Sequence, residues 1–278
     1  MKYNFLRYPE GKIKAVTFSY DDGTVHDKRF SDIISSYGIK CTFNFSGKGW
    51  DKEDAEKYMF SRGHEIAIHG YNHRGMDTLR PTEMIQEVLN CKTALEENYG
   101  RIIRGYAYPD RAIRRDAHPD AYKAARTVFE QLDIAYCRTL GGENNGFLLP
   151  DDFYNWLPTG HHDKAGLLES ADKFLNIDVP SLYIARRDPL LFYVWGHSYE
   201  FHNKNNWEHL EALCKKLGGH NDIWYAPNME IYEYVTAYKS LKYSSNDKIV
   251  YNPTHITVWF DIDGKIYKIE PNQTLTLD

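Results

Sequence analysis

The stretch KAVTFSYDDGTVHDKRFSDIISSYGIKCTFNF, residues 14–45, decides the fold. An apolar β-rich run ends in two adjacent carboxylates, Asp21 and Asp22, and a glycine. HDKRFSDIISSYG follows with helical spacing, and KCTFNF is a second β-rich run. Strand, helix and strand in that order predict parallel strands with the helix packed outside them. The alternation continues through helix DKEDAEKYMFSRG, strand HEIAIHG and helix PTEMIQEVLNCKTALEENYG, which has Pro in its first turn and Gly at its stop. Next come strand RIIRGYAYP, helix DAYKAARTVFEQL, strand IAYCRTL and, past a loop, helix KAGLLESADKFLN. LLFYVWGHS reads as a buried strand, WEHLEALCKKLG as a helix, DIWYA as a short strand and MEIYEYVTAYKSL as a helix. A closed or nearly closed parallel α/β barrel is the simplest architecture.

The tail has a different pattern. Residues 244–278 read as short antiparallel strands, with Asp263-Gly264 as the turn between ITVWF and KIYKI. Such a segment is too short to fold alone, so the expected organisation is a main domain over 1–243 with a small C-terminal β segment docked on it. A net charge of −5 with no long basic run argues against a nucleic-acid surface. No run of about 20 apolar residues marks a membrane span, and the amino terminus carries no secretory leader pattern, so the expectation is a cytoplasmic chain. Cys41, Cys91, Cys137 and Cys214 are widely spaced without a C-x-x-C pattern and read as free thiols. The 22 Tyr and 6 Trp suit a sugar-binding cleft, although cores use such rings too.

Functional groups of parallel α/β folds gather at the carboxyl ends of strands. Four polar clusters fall there: Asp21-Asp22, His69 to His73 in HGYNH, YAYPDR, and WGHSYEF around His197. Adjacent carboxylates are costly unless a cation or a proton separates their roles. Two imidazoles and one carboxylate would make a three-ligand metal set with positions open to water, and Asp22 is the best third ligand beside His69 and His73. The bland reading is helix-capping histidines and an Asx-type turn at Gly23. Either motif alone fits both readings; together, on one rim, they favour a metal.

Asp-Asp-Gly after an apolar strand, His-x-x-x-His, a Tyr-Pro turn, a Trp-containing turn and a late-strand His together resemble the NodB-type polysaccharide deacetylases, carbohydrate esterase family 4. The resemblance spans Ala15 to Tyr225 in order. It implies a distorted (β/α) barrel of about seven parallel strands, with 1–243 as the deacetylase domain. It further implies a metal-dependent hydrolase that removes N- or O-linked acetyl groups from an acetylated sugar or oligosaccharide. Asp22, His69 and His73 would hold one divalent ion, Zn first, with Co, Mn or Fe as alternatives. Asp21 would be the general base and His197 the general acid. Amide or ureide hydrolysis on the same scaffold, or a carbohydrate-binding relative with weak turnover, are the alternatives.

The chain departs from the family pattern twice. Where the third motif carries a base-orienting Arg, aligning Pro109 puts Ala107, and Arg111 stands where Gly is expected. Arg104, Arg111 or Arg138 are candidates to supply the charge, and the Asp110 N–H is the candidate oxyanion donor. The fourth motif's Asp is here Asn155, before Trp156, and Glu200, three residues past His197, is a candidate replacement partner for that imidazole. Tyr108, Trp156 and Trp195 are candidate apolar faces for a sugar or acetyl methyl. His161 and His162 read as substrate contact or loop structure.

Overall fold

A computed structural model describes residues 2–140 and 143–277. In chain order the elements are β1 (Asn4–Arg7), β2 (Lys14–Asp21), α1 (Asp27–Ser36), β3 (Cys41–Phe45), α2 (Lys52–Tyr58), β4 (Glu65–Ile68) and α3 (Pro81–Tyr99). They continue with β5 (Gly105–Ala107), α4 (Pro119–Gln131), β6 (Tyr136–Arg138), β7 (Gly160–His161), α5 (Leu167–Asn176), β8 (Leu190–Gly196), α6 (Ser198–Asn203) and α7 (Trp207–Leu217). The last are β9 (Ile223–Tyr225), α8 (Asn228–Ser240), β10 (Lys242–Tyr243), β11 (Ile249–Tyr251), β12 (Val258–Ile262), β13 (Lys265–Ile269) and β14 (Thr274–Thr276).

The parallel sheet runs β6-β5-β4-β3-β2-β8-β7. β9 pairs with the first half of β2, from Lys14 to Val16, and β3 pairs with its second half, from Phe18 to Asp21. All seven strands expected from the sequence form. The eighth, β7, is only two residues long. β2 is buried along its whole length, as a central parallel strand covered on both faces must be. Outer helices close over the sheet with their apolar faces, for instance Phe30 and Ile34 of α1 and Val88, Cys91 and Leu95 of α3. The result is the distorted (β/α) barrel expected. No helix among the described residues is long and apolar enough to cross a membrane.

Beyond the barrel, the expected Asp263-Gly264 turn joins β12 to β13, with both residues at positive φ. β1, which precedes the first strand expected from the sequence, pairs antiparallel with β12 and so ties the start of the described chain to the tail. Tyr234 of α8 locks this sheet in place: its Oη donates to the Arg7 carbonyl and accepts from the Trp259 N–H, each at 2.9 Å.

His64, at the entrance to β4, makes the fold pH-sensitive. Its Nδ1 accepts from the Cys41 N–H at 3.2 Å, so its proton sits on Nε2, 2.9 Å from the Ser35 hydroxyl. Burial, aided by Lys40 and Arg62, pulls its pKa down to about 3. A depressed native pKa means that the unfolded chain binds the extra proton between pH 6.5 and about 3, so stability falls with pH across that window. This residue alone should contribute a slope of about 1.4 kcal/mol per pH unit there. Urea melts from pH 6.5 to 4 should show that slope flattening in His64→Gln, and an unchanged slope would refute the assignment.

Candidate active site

The site forms at the carboxyl ends of the parallel strands. β2 delivers Asp21 as its final residue, and Asp22 follows at φ 77, a left-handed turn that swings its carboxylate away from its neighbour's. β4 ends just before His69, and the chain turns through Gly70 to His73, itself at φ 54. Glu87 of α3 straps this turn down, accepting from the Asn72 N–H at 2.9 Å and from its Nδ2 at 2.7 Å.

Asp22, His69 and His73 converge. Asp22 Oδ1 lies 3.2 Å from His73 Nε2 and 3.6 Å from His69 Nε2, and one ligand atom from each residue lies within 4.8 Å of the others. Donors held at about 2.0–2.2 Å around one tetrahedral ion stand roughly 3.4 Å apart, so the set fits a divalent metal. The tautomer fits as well. His69 Nδ1 sits 2.9 Å from the Ala107 carbonyl, which can only accept, so the proton is on Nδ1 and the Nε2 lone pair faces Asp22. Burial lowers the His69 pKa against the pull of Asp21, keeping the ring neutral as a ligand must be. Burial disfavours ionised Asp22, yet the His73 hydrogen bond and the neighbouring His197 hold its pKa below the ordinary value.

Asp21 has other partners. Arg138, the last residue of β6, donates from Nη2 to Asp21 Oδ2 at 2.7 Å, and Asn44 of β3 donates from Nδ2 to Oδ1 at 2.8 Å. Both side chains of the Arg138–Asp21 pair are almost fully buried. Of Arg104, Arg111 and Arg138, it is Arg138 that reaches Asp21; Arg104 is held by Asp133 at 2.9 Å, and Arg111 is exposed. Asn44 does not figure among the residues expected at the site, although an amide between two phenylalanines of a buried strand is a signal for it.

His197 begins the turn after β8. Its Nε2 faces the carboxylates, 3.9 Å from Asp21 Oδ2 and 4.0 Å from Asp22 Oδ2, and its Nδ1 lies 2.7 Å from Glu200 Oε1. Burial opposes the charged imidazole, but the Glu200 hydrogen bond and the two aspartates outweigh it and raise its pKa. Asn155 instead accepts from the Arg115 N–H at 3.1 Å, so Glu200 is the carboxylate beside this ring.

Three expectations change. Trp156 is fully buried, edge-on to Tyr136, Phe153 and Tyr193. Tyr108 is 1 % exposed and packs on Tyr106 and Phe129. Neither ring offers a face to a ligand. The half-buried Trp195 and Tyr199 flank His197 instead, with ring centroids at 5.8 and 5.1 Å. Asp110 is exposed at φ 54, its carboxylate beside Gly75. His161 and His162, read as substrate contact or loop structure, stand at the end of β7 and just past it, against Glu200. A separate cavity of about 560 Å³, lined by Lys14, Leu175 and Asp222, opens at the opposite end of β2 and holds none of these groups.

The fold and this rim define a class: a parallel (β/α) barrel with a candidate metal-binding Asp-His-His group at the strand ends. Residues 5–129 match the family model described as polysaccharide deacetylase. A chitin deacetylase from Pestalotiopsis sp is 28% identical over 89 residues, which is 30% of this chain and 30% of that protein's length. In fold, the chain is similar to a "putative polysaccharide deacetylase from Mycobacterium smegmatis", with a TM-score of 0.58 and 19% identity, covering 86% of this chain and 96% of that one. A family 4 acetyl xylan esterase from Clostridium thermocellum in complex with a cobalt ion gives a TM-score of 0.48 and 16% identity over 79% of this chain and 91% of that one.

Proposed function

We propose that this chain is a metal-dependent hydrolase that releases acetate from N- or O-acetyl groups of an acetylated sugar or oligosaccharide. The observation that carries this reading is the convergence of Asp22, His69 and His73 into one donor set with Asp21 and His197 beside it. A divalent ion held by those three, zinc before cobalt, manganese or iron, supplies Lewis acidity toward a carbonyl and acidifies water. Asp21 accepts the proton of the attacking water. Arg138 and Asn44 each occupy one of its oxygens, which fixes the carboxylate plane. On the other side, His197 Nε2–H gives its proton to the departing sugar oxygen or nitrogen. Trp195 and Tyr199 form an apolar wall beside it, suited to a sugar face or an acetyl methyl. The Asp110 N–H remains the proposed oxyanion donor. Residues 1–243 form the proposed catalytic unit, with the tail as a docked segment. The four cysteines are all buried and unbridged, which supports a reducing, cytoplasmic setting.

The test is acetate release from a panel of N- and O-acetylated oligosaccharides by protein loaded with Zn²⁺, Co²⁺ or Mn²⁺. Release that a chelator abolishes is the expected result. Asp21→Asn should retain the metal and lose about 10²–10⁴-fold in rate. No acetate from any substrate, or an unimpaired Asp21→Asn enzyme, would overturn the reading.

A further inference from the structure

Glu200 stands among three imidazoles. His197 Nδ1 lies 2.7 Å from its Oε1, while His161 Nε2 and His162 Nε2 approach its Oε2 at 3.4 and 3.2 Å. Asp163 adds an oxygen 3.4 Å from His162 Nε2, so these four side chains also have the composition of a cation site. The proton positions point the other way. His161 Nδ1 accepts from the Asp163 N–H at 3.2 Å, which puts the His161 proton on Nε2, facing Glu200, where a metal would need a lone pair. Lys204 pairs with Asp163 and lies 3.5 Å from Glu200, so a cation already serves both carboxylates.

The cluster is built, not incidental. His162 is fully buried, its ring stacked on Phe201 at 4.1 Å and its Nδ1 3.2 Å from the Tyr20 hydroxyl. It occupies space that any other residue at 196 would fill: a Cβ on Gly196 would stand 1.9 Å from His162 Nδ1. Gly196 immediately precedes His197. The chain therefore gives up a side chain beside its proposed acid in order to seat an imidazole against the partner of that acid.

We infer that Glu200 is a positioning residue for His197, holding its proton on Nδ1 and aiming Nε2 at the carboxylates, and that His161 and His162 hold Glu200 in place. The inference rests on the proposed role of His197 in leaving-group protonation. A carboxylate on Nδ1 fixes the tautomer and ring plane and stabilises the imidazolium. Here it comes from the first turn of α6, three residues along the chain, and Asn155 has no part in it.

Leaving-group dependence separates positioning from general damage. 4-Nitrophenyl acetate expels a phenolate that needs no proton, whereas an O-acetylated sugar expels an alkoxide that does. In the zinc-loaded enzyme, Glu200→Gln should slow the sugar ester about 10–100-fold and leave the aryl ester within about twofold. His162→Phe, which keeps the stacking, should show the same pattern more weakly, and Asn155→Ala should match wild type on both. His197→Ala calibrates the test. If it shows the split and Glu200→Gln does not, the positioning role is overturned; if it slows both esters equally, the acid assignment fails instead. ¹⁵N-histidine NMR then decides positioning without turnover. The His197 Nδ1 should keep its proton in wild type and share it with Nε2 in Glu200→Ala, and an unchanged Nδ1 signal would contradict the inference.

Discussion

Replacing Asp22 by asparagine should strip the metal from the protein and reduce acetate release to background. Asparagine tolerates the left-handed backbone at this position, φ 77, so the fold and the Asp22 turn should survive while the anionic ligand is lost. Alanine would add backbone strain and confuse the result. Loss of an outer-shell partner commonly costs about 10–100-fold in metal affinity, and removal of a charged direct ligand should exceed that. The remaining His69 and His73 are two neutral donors facing a cation with no carboxylate in the set. Metal content after dialysis, with titration calorimetry for affinity, reads the effect. A variant that keeps one equivalent of metal at unchanged affinity would remove Asp22 from the site.

The second large effect belongs to Arg138. Its guanidinium is fully buried, its Nε and Nη1 find no hydrogen-bond partner among the described residues, and it lies 4.9 Å from the Trp195 ring. What holds it there is Asp21. Removing one member of a buried pair leaves the other charge without its counterion, which costs about 3–5 kcal/mol. Arg138→Met should therefore destabilise the chelated protein by about that amount, because Asp21 would keep only Asn44 as a hydrogen-bond donor. Combining it with Asp21→Asn should restore much of the loss, since the stranded charge is then gone. Urea melts of the four proteins in the cycle measure this. Additive single effects, or an Arg138→Met cost below about 1 kcal/mol, would contradict the assignment. Turnover should also fall in Arg138→Met even when metal is supplied, because Asp21, the proposed base, would be free to rotate.

The barrel was legible because its strands and helices carry their own punctuation: β8 is an unbroken apolar run, β2 is β-rich up to Asp21, and α3 has Pro81 at its start and Gly100 at its stop. Elements without such marks were not. β1 is four residues whose partner strand lies near the far end of the chain, β7 is two residues, and α6 continues an aromatic-rich run with no period of its own.

At the site, the residues following each strand could be read as converging on one rim, which brought out Asp21, Asp22, His69, His73 and His197. Contacts between strands have no spacing in the sequence. Arg138 was therefore one of three arginines until β6 was seen to place it against Asp21, and Asn44 and Glu87 were not noticed. Tyr108 and Trp156 were misread for a related reason. At the end of a strand, alternation alone does not say whether a ring turns toward the rim or into the layer between sheet and helices, and both turn inward.

The proposed chemistry depends on one divalent ion held by Asp22, His69 and His73. Crystals of metal-loaded protein, with diffraction data on both sides of the absorption edge of the metal, test it most directly. One anomalous peak per chain is expected within bonding distance of Asp22, His69 and His73, with Asp21 still on Arg138 and no peak among His161, His162 and Glu200. A peak in that second cluster with none at Asp22, or no peak at all in protein shown to release acetate, would contradict it.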